Sequence, residues 1–220
     1  AEHITTGNAK ELAYTRSPDS LIWTLLDTGE LRCLTYERAQ DVVAWHRHIL
    51  GATTGGAAKV KSIAAIPSAD ELEEQLYMIV ERTIGGATKQ YVEFLEKAFD
   101  QAKGDVPKDA FFVDSGLTYD DPTTAVTSVS GLDHLEGESV RILADGANHP
   151  NKTVSSGAVT LERSANTVHV GLSYRALMRT LDPEVQTETG PSQGKTRRIE
   201  RITARVCLLY TSPSPRDLLG

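Results

Sequence analysis

The chain is short of cysteine: of 220 residues only two, Cys33 and Cys207, carry thiols. Two thiols cannot build a disulfide framework, and their spacing fits neither a zinc nor a redox motif, so synthesis in a reducing compartment is expected. Long apolar runs are also missing. None approaches the roughly 18–20 residues that a membrane-spanning helix needs, and no membrane partner is expected. Positive charge is in deficit, because Lys+Arg 23 against Asp+Glu 30 leaves a net charge of -7. The chain as a whole therefore lacks the basic field that holds a phosphate backbone non-specifically. The opening Ala1-Glu2-His3-Ile4-Thr5-Thr6 has no initiator Met and no apolar leader, and is expected to be an internal starting point. What is present is ordinary for a folded protein: 40% hydrophobic and 24% charged residues, enough for one large or two small domains with a buried core.

From Leu21 the apolar residues alternate with a period near two. Leu21 to Leu26 and Leu31 to Tyr36 flank the turn residues Asp27-Thr28-Gly29-Glu30, which predicts a hairpin. Asp41 to His48 reads as the next strand, followed by a Gly-rich loop from Gly51 to Ala58 and a strand from Val60 to Ile66 stopped by Pro67. Asp70 to Glu74 has helical character, whereas Leu76 to Thr83 reads as a strand closed by Gly85-Gly86. In Tyr91 to Phe99 the residues Tyr91, Phe94, Leu95 and Ala98 fit helical spacing, but the preceding turn and strand assign the segment to a strand. From Phe111 the texture changes. Thr, Ser, Gly and Asp crowd residues 114–130, and short strands follow at Ser139 to Ala144, Ala158 to Leu161, Thr167 to Leu172 and Glu200 to Val206. Asp145-Gly146 is a hairpin signal, since both central positions of a type I′ turn need positive φ. In Thr167 to Leu172 the alternation sets Val168, Val170 and Leu172 on one face and His169 on the other; Ile202, Ala204 and Val206 share a face in the last strand. The polar stretch Asp182 to Lys195 is expected to be a long surface loop or an inter-subunit arm.

Residues 207–220 stand apart. By composition, Cys207 to Asp217 is a short apolar piece and a Ser/Pro linker, but it resembles, residue for residue, one reading frame of a common transposase-based sequencing adapter. This tail is expected to be non-native, with Val206 near the end of the protein's own sequence and the chain a fragment open at both ends.

Candidate chemistry is sparse. Gly190-Pro191-Ser192-Gln193-Gly194-Lys195-Thr196 ends like a phosphate-binding loop, yet three residues separate its glycines where four are needed, and no strand feeds it. Trp45-His46-Arg47-His48 places two histidines on one face of a strand, a spacing that could seat a metal. No further ligand stands in sequence register, so packing or hydrogen bonding is the expected role. Asp133, His134 and Glu136 between Gly131 and Gly137, with Glu138 just beyond, offer acid and base groups where a solvated turn is expected, and no nucleophile elbow occurs. His3, His149 and His169 have no identifiable partner. No catalytic residue, cofactor or metal ligand is assigned.

Two groups of segments carry a family resemblance. The first comprises Leu34-Thr35-Tyr36-Glu37-Arg38, Asp41 to His48 and Gly86 to Glu93. The second runs from Gly131-Leu132-Asp133-His134-Leu135-Glu136-Gly137-Glu138 through Val140 to Gly146, and returns at Gly194 to Ile199. Over most of residues 12–206 the chain resembles structural proteins of bacteriophage tails, similar to the tail nozzle or tubular proteins of short-tailed phages. The resemblance implies an all-β fold, with an incomplete β-propeller-like antiparallel meander over residues 1–110 and a small β-sandwich-like domain over 111–206. It implies no enzyme activity, a virion location after synthesis in the host bacterial cytoplasm, and homo-oligomers that meet other tail proteins around a DNA channel. Lys195, Arg197, Arg198 and Arg201 would then be candidates for contact with the DNA backbone. The alternative is a tail-associated carbohydrate- or receptor-binding module using exposed aromatics such as Tyr119 and Tyr174. A depolymerase is a third class, requiring two carboxylates about 5–9 Å apart in a cleft.

Overall fold

A computed structural model of the chain describes residues 7–68 and 72–177, together with the backbone of 186–187 and 190–191. The fold is all-β and antiparallel, as the alternation predicts. Four strands, β1 (Ala9–Thr15), β2 (Leu21–Leu26), β3 (Leu31–Glu37) and β4 (Val42–His48), form a meander in the order β1-β2-β3-β4. Three more, β5 (Lys59–Pro67), β6 (Glu74–Ile84) and β7 (Ala87–Phe94), form a second meander closed by Gly85 and Gly86, both at positive φ. The inner faces of these two sheets share one core, in which Trp23, Leu25, Leu31 and Cys33 meet Val60, Ile63, Leu76, Met78 and Val80. Glu11 on β1 clips them together: its carboxylate accepts from the Ser62 hydroxyl at 2.8 Å and the Ile63 amide at 2.9 Å, which lowers its pKa.

The second part is built from β8 (Asp114–Asp120), β9 (Val126–Ser130), β10 (Ser139–Ala144), β11 (Ala147–Thr153), β12 (Ala158–Ala165) and β13 (Thr167–Leu172). One sheet has the order β11-β10-β13-β8, the other pairs β12 with β9, and both contribute to a single core that includes Val129, Val140, Ile142, Val159, Leu161, Val168 and Val170. This is a small β-sandwich. Asp145 and Gly146 join β10 to β11 with φ of 51° and 75°, the positive pair that the turn requires. Residues up to Tyr174 form one compact unit, which contains both cores.

Several expectations change. The helical reading of Asp70 to Glu74 fails where it can be followed: Leu72 and Glu73 form a bend and Glu74 already lies in β6. Its local propensity is overridden by pairing, because the Glu74 amide donates to Ser17 O at 2.9 Å and Ser68 closes the loop onto Glu73. The strand assigned to Tyr91 to Phe99 ends at Phe94. His169, expected without a partner, is buried like the rest of β13 and is bonded through both ring nitrogens. The polar stretch Asp182 to Lys195 contains a two-residue antiparallel pairing, Gln186–Thr187 with Gly190–Pro191. The rest of that stretch, the strand expected at Glu200 to Val206, and Lys195, Arg197, Arg198 and Arg201 lie outside the described residues.

Candidate functional site

An antiparallel two-sheet layer normally buries its inner faces and turns polar residues outward. Here both outward faces carry exposed apolar residues among polar ones such as Thr24, Arg32 and Arg47 on the first sheet and Glu81 and Gln90 on the second. On the first sheet the register places Tyr14, Ile22, Leu34 and Trp45 in one row across all four strands, flanked by Leu12 and by the Tyr36–Val43 pair. Leu12 is 68% and Val43 61% exposed. On the second sheet Tyr77 pairs with Phe94, with ring centroids 5.6 Å apart, and Ile79 with Val92, which is 76% exposed. Sequence reading placed strands over much of β2 to β7 but missed β1 and these faces, because the same alternation describes either side of a sheet.

At the edge of the first sheet, the β3–β4 register sets Cys33 directly opposite His46, with His48 two residues on along the same face. Donor atoms of Cys33, His46 and His48 lie within 4.8 Å of one another. His46 Nδ1 and His48 Nε2 share a hydrogen bond of 2.8 Å, and His46 Nε2 meets the Thr35 hydroxyl at 3.2 Å. The Trp23 ring lies 4.9 Å from the His48 ring. Burial pushes the Cys33 thiol up to about 12 and the His48 imidazole down to about 4, the latter helped by neighbouring His46; burial also lowers His46. Both rings are therefore neutral near pH 7. The histidines stood out in the sequence, whereas Cys33 did not. Folding Leu31–Glu37 back on Val42–His48 about the turn at 38–41 is the signal that would have found it.

A polar cluster ties the two parts of the compact unit. The Arg82 side chain is 0% exposed and donates to Glu93 at 2.7 and 2.8 Å and to Gly51 O at 2.6 Å. Ser115 donates to Glu93 at 2.9 Å, and Asp114 accepts from the Gly51 amide. Burial raises the Asp114 pKa against the opposing pull of that amide and of Arg82. The solvated turn expected around Asp133 is instead fastened down. Leu135 is buried, the His134 ring bonds Ser115 O at 2.8 Å, and the Glu136 carboxylate accepts from the Ser156 and Gly157 amides. Glu138 is buried and accepts from the Thr54 amide at 2.9 Å and hydroxyl at 2.6 Å. His134, Glu136 and Glu138 are thus spread among different partners rather than converging, because the turn's amides and a neighbouring loop need them.

A cleft of about 390 Å³ lies between Phe112, Val113, Ile142, Leu143 and His169. Its one imidazole is held at both nitrogens, by the Thr118 hydroxyl at 2.8 Å and Lys108 O at 2.7 Å, so it is not free to move a proton. His149 likewise bonds Pro150 O and the Glu162 amide. The strand pairing puts Tyr119 opposite Val168, while Leu172, two residues before Tyr174, pairs with Asp114. Tyr119 therefore sits near one end of β8 and Tyr174 just past the end of β13, about 20 Å apart, and they do not form a shared platform. No protein-family model matches the chain, and no curated protein matches it.

Proposed function

We propose that this chain is a structural protein of a bacteriophage tail, working by docking its β-sheets against further copies in a ring or tube around the DNA channel. The observation that carries the reading is the exposed apolar side chains on the outward faces of both sheets of one two-sheet layer. Burying only the inner faces leaves Leu12, Tyr14, Val43, Val92 and Phe94 in water, the opposite of what a free-standing layer selects. The two faces differ in strand number and side chains, so their natural pairing is head to tail, and such interfaces close into rings or continue as tubes. The resemblance of residues 12–206 to tail nozzle and tubular proteins points the same way. The work is mechanical and requires no catalytic group; other tail proteins are the partners, and the virion is the location.

Sedimentation of the whole chain over a range of concentrations tests this. The parent associates, and electron micrographs show rings or stacked particles. Val43→Asp and Val92→Asp, one on each face, both weaken association. Each buries an unpaired charge in the contact, costing on the order of 2 kcal/mol or more, roughly a 30-fold loss of affinity. A parent chain that stays monomeric at every concentration overturns the reading.

A further inference from the structure

We propose that Cys33, His46 and His48 form a binding site for a borderline-soft divalent cation of the zinc class, stapling β3 to the edge strand β4. The donor set is one thiol and two imidazoles, the types that such ions select, and their donor atoms already lie within 4.8 Å of one another. Bond lengths of about 2.3 Å to sulfur and 2.0–2.1 Å to nitrogen place tetrahedral donors roughly 3.3–3.8 Å apart. The His46–His48 contact of 2.8 Å has to open by about half an ångström, and the widest donor separation, up to 4.8 Å, has to close by about 1 Å, adjustments that an edge strand allows. The ligand atoms are Cys33 Sγ, His46 Nδ1 and His48 Nε2, leaving a fourth position for water.

The surroundings suit the ion. Thr35 accepts from His46 Nε2–H once that tautomer is selected, which frees Nδ1 as a donor to the metal and fixes the ring plane. The rings are half-buried at the sheet edge while the thiol is 0% exposed. The protons balance simply. The two facing ring nitrogens share one N–H, which moves to the far side of its own ring by a change of tautomer, and the Cys33 thiol loses its proton to solvent as the metal–sulfur bond forms. One proton leaves per ion bound. The ion and thiolate together carry a single positive charge, in a chain whose net charge is -7.

The test is a Co²⁺ titration of the full chain with Cys207→Ser, so that Cys33 is the sole thiol. One Co²⁺ binds per chain, with a thiolate-to-metal charge-transfer band that Zn²⁺ displaces, and calorimetry in two buffers reads the release of one proton. Groups that merely orient a ligand are worth about 10–100-fold in affinity, so Thr35→Val costs about 10-fold and His48→Gln at least about 100-fold. Cys33→Ser abolishes the band. If that core variant does not fold, His48→Gln at the sheet edge decides alone. Co²⁺ binding that lacks the band, binding that survives His48→Gln unchanged, or no binding by the parent each overturns the proposal.

Discussion

Arg82 shows what a single buried charge contributes to this fold. Its guanidinium is fully enclosed and meets two acceptors at once, the Glu93 carboxylate and the Gly51 carbonyl. Removing the cation leaves Glu93 enclosed with only the Ser115 hydroxyl, so Arg82→Met is expected to cost about 3–5 kcal/mol in urea unfolding. Arg82→Met combined with Glu93→Leu removes both charges and recovers most of that loss; a double variant no better than the single one would contradict the pairing argument. Asp114 lies in the same cluster, so one cation faces two carboxylates. Its pKa is raised in the folded state, chiefly by burial. The unfolded chain therefore loses this proton at lower pH, and the folded state loses stability as pH rises from the ordinary aspartate range through the raised value. Asp114→Asn does not titrate and keeps an oxygen for the Gly51 amide. It is expected to be more stable than the parent at pH 7, with the advantage disappearing as pH falls to about 3.8. A gain that grows on acidification would reverse the sign of the argument.

Turns and registers govern the elements. Gly86 and Gly146 both sit in two-residue hairpin turns at positive φ, 78° and 75°, but their surroundings differ. A Cβ at Gly86 meets nothing within 4 Å, whereas one at Gly146 lies 2.9 Å from Lys108 N and 3.0 Å from Pro107 Cβ. Gly86→Ala therefore carries only the left-handed backbone cost, about 1–2 kcal/mol, and Gly146→Ala adds overpacking for about 2–4 kcal/mol in total. Equal thermal shifts for the two would show that Pro107 and Lys108 yield freely. The Asp145-Gly146 turn was legible because its dipeptide has few other uses, β10 because alternation there coincides with burial, and β2 and β13 because both are rich in β-forming and aliphatic residues although their burial does not alternate. The elements that escaped do so for physical reasons. β1 turns Glu11 and Ala13 inward and Leu12 and Tyr14 outward, which inverts the usual pattern. β11 is an edge strand with no aliphatic side chain larger than the Ala147 methyl, and it tolerates Pro150 because an edge position needs no donor there. β8 contains Gly116, where a Cβ would lie 2.7 Å from Val170 O, so close approach rather than β-propensity chose the residue. The Cys33–His46–His48 cluster was half legible: two ligands lie on one strand, while the third depends on pairing across a turn.

Across the compact unit, two separate apolar cores are joined largely by polar groups. Glu138 from the sandwich accepts two bonds from Thr54 in the loop between β4 and β5, and Ser115 and Asp114 reach Glu93 and Gly51 in the same region. Bonds to a charged group contribute about 1.5–3 kcal/mol each, so this clasp is strong enough to make the two cores unfold together. Glu138→Ala removes two such bonds and leaves the Thr54 amide without its acceptor. Both tryptophans, Trp23 and Trp45, lie in the first sheet, so their fluorescence follows one core while far-ultraviolet circular dichroism follows all the strands. In the parent the two melting curves coincide. In Glu138→Ala they separate, and calorimetry resolves two endotherms where the parent has one. Curves that remain superimposed with an unchanged midpoint would mean that apolar contact, such as Ile84 packing against the sandwich core, couples the two parts instead.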